Sequence, residues 1–201
     1  TAAFDRAYAL TEDAEDRADI LGWRAYAHRF AGNYSAATAD ARRALELDPS
    51  VDTRMLYVSI LMDDPRAWSD GINVARALFA EQPDSVLRLN ALGYALIQKP
   101  EGLEEGYRLL WRGYAYGQTN YAVIDSLGWA HFKLGDYRQA LLFLERAVEL
   151  EPGSATLNDH LGDVYWRLGR RTEARFQWRR ALSQEPEDAA AIEHKLEHGL
   201  P

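Results

Sequence analysis

A period of about 34 residues constrains this chain more than any feature of its composition. Four prolines, Pro49, Pro83, Pro152 and Pro186, each close an apolar, alanine-rich stretch: ARRALELDP, ARALFAEQP, LERAVELEP and WRRALSQEP. The first two prolines lie 34 residues apart, as do the last two, and the 69 residues between the middle pair are two periods plus one inserted residue. A period of this length marks a repeated supersecondary unit. Such a unit cannot bury its apolar face alone, so neighbouring units must stack to make a continuous core.

Placing each proline at position 32 of the period starts the repeats at Ala18, Asp52, Val86, Tyr121 and Ala155. Small residues then recur where two helices must approach closely. Leu92-Gly93, Leu127-Gly128 and Leu161-Gly162 stand at positions 7 and 8, and Ala37, Gly71, Gly106, Ala140 and Ala174 at position 20. Position 27 holds Ala44, Leu78, Gly113, Ala147 and Ala181. Gly32, Gly135 and Gly169 open the turn that separates two helices of a pair, where a helix end favours a left-handed residue. Ser85, Asn120, Ser154 and Asp188 all fall just before a predicted first helix, where a side-chain oxygen can cap free N–H groups for about 1 kcal/mol each.

These positions, taken together, resemble the tetratricopeptide-repeat family over essentially the whole chain. The pattern is fullest in IDSLGWAHFKLGDYRQALLFLERAVELEP and NDHLGDVYWRLGRRTEARFQWRRALSQEP, and residues 18–51 keep Gly32, Tyr34, Ala37 and Ala44. Residues 52–85 diverge, with Ser59 at a glycine position and Pro65 in the hairpin. Residues 86–120 carry the extra residue near Pro100-Glu101-Gly102, and Gln118 stands for the final proline. The expected organisation is therefore five repeats, 18–51, 52–85, 86–120, 121–154 and 155–188, followed by a capping helix in 189–201. Residues 1–17 read as the second helix of a preceding repeat, because Ala3, Ala7 and Leu10 fit positions 20, 24 and 27. On that reading the chain is a piece of a longer array. The resemblance implies an all-α fold, with antiparallel helix pairs stacked into a right-handed superhelix.

The resemblance also implies that positions 2, 5, 9, 12 and 13 of each first helix line a concave groove. They put Tyr26, Arg29 and Phe30 in the first repeat, Leu56 and Ile60 in the second, and Asn90, Tyr94 and Ile97 in the third. The last two repeats contribute Asp125, Trp129, Phe132 and Lys133, then Asp159, Asp163, Trp166 and Arg167. The groove so drawn is aromatic, with carboxylates in its C-terminal half. A clamp for a terminal carboxylate needs Lys and Asn at positions 5 and 9. Those slots hold Gly22/Tyr26, Leu56/Ile60, Asn90/Tyr94, Asp125/Trp129 and Asp159/Asp163, so the clamp is absent. An aspartate in a first helical turn has a plain structural reason as well, since the helix dipole favours it by roughly 0.3–1 kcal/mol.

Several function classes fall away. The 23 basic and 31 acidic residues leave a net charge of −8, shared evenly between the halves, so no basic half exists to grip the phosphates of a nucleic acid. Without cysteine there is no thiol nucleophile and no zinc–thiolate site. No apolar run approaches the roughly 18 residues of a membrane span. His194 and His198 share a helical face at metal-ligand spacing but lack a third ligand, and His28 and His131 fall at packing positions. His160 beside Asp159 and Asp163 has no accompanying nucleophile or oxyanion donor, so no catalytic residue, metal or cofactor is expected. Residues 167–180 hold six arginines, of which Arg171, Arg175 and Arg179 form one stripe, either a solvated face or a second contact surface for an acidic partner or a membrane surface. Gly106 and Gly113, inside one helix, read as sites of close helix approach, the alternative being a flexible joint that lets the groove adjust.

The expected function is a non-catalytic scaffold or adaptor that holds other proteins or peptide segments. LNALGYALI, IDSLGWAHFKLG and LGDVYWRLGRRTEA are similar, more narrowly, to the C-terminal repeats of long bacterial repeat proteins. Many of those are outer-membrane lipoproteins, and the group includes the binding partner of the carboxyl-terminal processing protease. That likeness implies a periplasmic protease adaptor. The rival readings are a cytoplasmic assembly scaffold and an accessory domain of a larger enzyme.

Overall fold

The computed structural model describes residues 2–186 and 188–200. Twelve α-helices and no strand occur among them. The chain divides into two compact units, residues up to Pro83 and residues from Asp84.

The first unit contains α1 (Ala2–Leu10), α2 (Ala14–Phe30), α3 (Tyr34–Leu47), α4 (Val51–Asp63) and α5 (Trp68–Glu81). Its core is alanine-rich: Ala25, Ala37 and Ala41 pack on Ile60, and Ala18, Leu21 and Ala44 form a second cluster. The helix α2 starts at Ala14, four residues before the repeat phase places it, because Asp13 accepts hydrogen bonds from the Glu15 and Asp16 amides and so caps an earlier turn. At the other end, Gly32 adopts φ 71° and the Asn33 amide donates to the His28 carbonyl, which turns the chain into α3. A charged network ties three helices together. Arg24 of α2 holds the buried Asp40 of α3 through two hydrogen bonds of 2.7 and 2.6 Å and also pairs with Asp5 of α1. These carboxylates raise the pKa of Arg24 further.

The second unit contains α6 (Val86–Leu96), a 3-10 turn at Pro100–Gly102, α7 (Leu103–Tyr116), α8 (Tyr121–Lys133) and α9 (Tyr137–Leu150). It continues through α10 (Ala155–Arg167), α11 (Arg171–Leu182) and α12 (Ala189–His198). Gly135 and Gly169 repeat the left-handed turn of Gly32, with φ 79° and 78°. Glycine allows a close approach where Gly162 of α10 faces the wholly buried Trp178 of α11: an added Cβ would lie 2.5 Å from the indole. Gly106 is equally constrained, its missing Cβ 2.6 Å from the Gly93 carbonyl, whereas Gly113 leaves ordinary contact distances of 3.4 and 3.6 Å. The close approach expected at both positions is thus present at Gly106 and absent at Gly113. Three of the four anticipated caps form, through Asn120, Ser154 and Asp188, while the Ser85 side chain makes no capping hydrogen bond.

Candidate partner-binding site

In the first unit one face of α2 carries Trp23, Tyr26 and Phe30, spaced so that all three share one side of the helix. Trp23 is 66% exposed and Phe30 59%, with Tyr26 half-buried between them. The guanidinium of Arg29 lies over two of these rings, 5.4 Å from the centroid of Tyr26 and 4.7 Å from that of Phe30. Beside the stripe is a cavity of about 260 Å³, walled by Asp19, Trp23 and Tyr26 of α2 and by Asp52 and Leu56 of α4. Gly22 forms its floor, where a side chain would press on Leu56. Ile60 is fully buried, as is Ile97 in the second unit, so these two groove positions belong to the core.

In the second unit the anticipated groove residues are drawn into contacts within the chain. Asn90 and Tyr94 of α6 are half-buried. The side-chain oxygen of Asn90 has no hydrogen-bond partner among the described residues, and Tyr94 packs on the cluster of Ile97, Leu110, Leu127 and Ala130. Trp129 stacks between Phe132, at 4.5 Å, and His160, at 4.1 Å. His160 and Asp125, respectively 7% and 6% exposed, form a hydrogen bond of 2.8 Å from the imidazole Nδ1 to the carboxylate. Burial disfavours the imidazolium, but the charges of Asp125, Asp159 and Asp163 outweigh it and raise the His160 pKa. The acid–base grouping weighed from the sequence therefore rearranges: the hydrogen-bonded partner of His160 is Asp125 of α8, and Asp159 and Asp163 face a cation instead.

That cation is Lys195 of α12. Its ammonium donates to both carboxylate oxygens of Asp159 at 2.8 Å and to Asp163 at 3.0 Å. Asp163 also accepts from the Trp178 indole N–H at 2.9 Å. Burial and the charge of Asp159 push the Asp163 carboxyl up, against the opposing pull of Lys195 and Trp178. The rest of the C-terminal segment covers Trp166, whose Nε1–H donates to the Leu200 carbonyl at 3.3 Å, and Gly199 lies against the indole so closely that no Cβ would fit. Two arginines of the anticipated stripe close the other side. Arg171 sits 3.5 Å from the Trp166 ring centroid, and Arg175 donates to the Leu196 carbonyl. Arg179 is exposed.

Sequence reasoning missed Trp23, Asp19 and Lys195. Trp23 occupies position 6, outside the positions transferred from the family, yet its spacing from Tyr26 and Phe30 marks the stripe. His194 and His198 stack on each other at 4.5 Å on the exposed face of α12, and no group able to hold a metal ion occurs among the described residues. No described helix is long and apolar enough to cross a membrane.

Comparison with known proteins adds the following. Family descriptions of the tetratricopeptide repeat match residues 18–51 and 131–194. TPR repeat-containing protein PA4667 of Pseudomonas aeruginosa is 32% identical over 113 residues, which are 56% of this chain, and the chain spans 19% of that relative's length. Among solved structures, TTC0263, a thermophilic TPR protein of Thermus thermophilus, superposes with a TM-score of 0.76 at 21% identity, covering 92% of this chain and 98% of the other. MamA 41-end from Desulfovibrio magneticus RS-1 gives a TM-score of 0.55 at 14% identity over 84% of this chain and 94% of that one. At these identities the structural likenesses establish the fold.

Proposed function

We propose that the chain, whose residues 18–51 and 131–194 match the tetratricopeptide repeat, is a non-catalytic scaffold that holds a segment of another protein against the first-helix faces of its repeats. The observation that carries this reading is the stripe of Trp23, Tyr26 and Phe30, in which Trp23 and Phe30 are largely exposed. Large aromatic rings left in water on one helical face are a liability unless a partner covers them, and aromatics dominate interface energetics where they are covered. The half-buried Trp129 and Phe132 extend the same chemistry in the second unit, with much of their area already met by neighbours. Tyr94 and Asn90 supply a mixed apolar and hydrogen-bonding surface on α6.

The finer reading is that the partner is a protease, and that the protein works in the bacterial periplasm as an outer-membrane-anchored adaptor. It rests on the likeness of LNALGYALI, IDSLGWAHFKLG and LGDVYWRLGRRTEA to that group of repeat proteins, and the Pseudomonas aeruginosa relative supports a bacterial setting.

The test is affinity capture from cells that carry the gene, using wild type and Trp23→Ser/Phe30→Ser. Both side chains are largely exposed, so the variant should keep its helical circular dichroism. Loss of the captured partners is expected, with a carboxyl-terminal processing protease among those lost. Unchanged capture would move the binding face elsewhere in the molecule.

A further inference from the structure

We propose that the cavity between α2 and α4 receives the guanidinium of an arginine side chain presented by the bound segment, an assignment that rests on the scaffold reading above. Size is the first argument. At about 260 Å³ the cavity falls below the roughly 300–1,000 Å³ of sites for drug-sized ligands, and it suits one long side chain.

Charge is the second. Asp19 and Asp52 reach the cavity from different helices, both exposed, and neither has a hydrogen-bond or ion-pair partner among the described residues. The cations of the surrounding helices are committed elsewhere: Arg24 to Asp40 and Asp5, Arg17 to the Thr11 carbonyl, Arg29 to Asp63 and Arg54 to Glu81. Asp52 has a local reason to be acidic, since it stands in the first turn of α4. Asp19 has none of that kind, because α2 begins at Ala14 and its first turn already holds Glu15 and Asp16.

The third argument is the exposed face of Trp23 beside the two carboxylates. A cation is attracted to the face of an indole, and a planar, weakly hydrated guanidinium can stack on the ring while donating to carboxylates. The protein satisfies this chemistry internally elsewhere. Arg171 stacks on Trp166 at 3.5 Å, and Lys195 fills a comparable place between α10 and α12 by donating to Asp159 and Asp163. Between α2 and α4 the carboxylates and the indole are present, and the described residues supply no cation to them.

The experiment is a titration of the 15N-labelled protein with the peptide acetyl-Gly-Gly-Arg-Gly-Gly-amide and with its citrulline counterpart, which keeps the shape and loses the charge. The arginine peptide should shift the Trp23 indole N–H resonance together with the backbone amides around Asp19 and Asp52. Binding should weaken about tenfold for the citrulline peptide and for the Asp19→Asn/Asp52→Asn variant, and Trp23→Leu should weaken it as well. Equal binding of the two peptides, shifts confined to other residues, or no shift at all overturns the assignment. The capture experiment run on Asp19→Asn/Asp52→Asn separates the two levels. Partners retained by that variant but lost by Trp23→Ser/Phe30→Ser overturn the arginine site and leave the scaffold function standing.

Discussion

Two glycines seven residues apart on α7, alike in sequence context, respond oppositely to the same methyl group. At Gly106 an added Cβ would meet the Gly93 carbonyl at 2.6 Å and Ile97 at 2.7 Å, so two helices would have to separate. At Gly113 the nearest atoms lie at 3.4 and 3.6 Å, which is normal packing. Gly106→Ala should therefore destabilise the protein by about 1–3 kcal/mol through overpacking. Gly113→Ala should stabilise it by about 0.5–1 kcal/mol, because alanine loses less entropy in a helix. Urea unfolding midpoints measure both, and movement in the same direction would refute the distinction. The period alone puts both glycines at packing positions, since it reports where helices meet and not how closely. Side-chain pairing is illegible for a related reason. His160 meets Asp125 across 35 residues, a partnership between α10 and α8 that no local motif encodes.

The helix α12 shows how an element can be anticipated from the sequence while its chemistry stays hidden. Charged residues ending at Gly199 suggest a helix that faces water, and most of α12 does so, with Ile192 its one buried residue. What the sequence does not disclose is that Lys195 points inward to neutralise Asp159 and Asp163. Lys195→Met would leave the nearly buried Asp163 with its indole donor but no cation. Breaking a buried ion pair from one side costs about 3–5 kcal/mol, and the partial exposure of Lys195 and Asp159 puts the expectation at about 3 kcal/mol. The pH dependence has a definite sign. Burial and Asp159 already raise the Asp163 pKa, so the native state binds a proton more readily than the unfolded chain. This contribution favours folding below the usual carboxylate range and is lost as pH rises through the elevated pKa. Removing Lys195 takes away a lowering influence and raises that pKa further. The stability gap between wild type and Lys195→Met should therefore be widest at neutral pH and shrink near pH 4, as thermal melts at the two pH values will record. A gap that stays constant would mean Lys195 contributes only packing.

Over the whole chain the helical repeat architecture is legible because its signal is redundant, each proline, glycine and alanine position being restated several times. The relative strength of the two units is not, since it depends on which side chains are fully enclosed. Of the largest fully buried side chains only Ile60 precedes residue 84, while Leu89, Leu92, Leu110, Leu127, Leu144, Leu161 and Trp178 all follow it. An alanine-rich core removes less apolar area from water and stabilises less. Native-state hydrogen exchange in increasing urea should show the amides of α2 to α4 losing protection before those of α8 to α10, with α1, which buries no residue, exchanging first. Simultaneous loss would show that the chain opens as one cooperative body. The His160–Asp125 bond, finally, bears on how such a gene can change. Arrays lengthen and shorten when recombination copies or deletes whole units. A unit spliced in between α8 and α10 without both residues would strand an imidazole and a carboxylate away from water, whereas the contact of Ala37 and Ala41 with Ile60 asks a newcomer only for an apolar surface. The joint between α8 and α10 is thus a place where inheritance must transmit neighbours together.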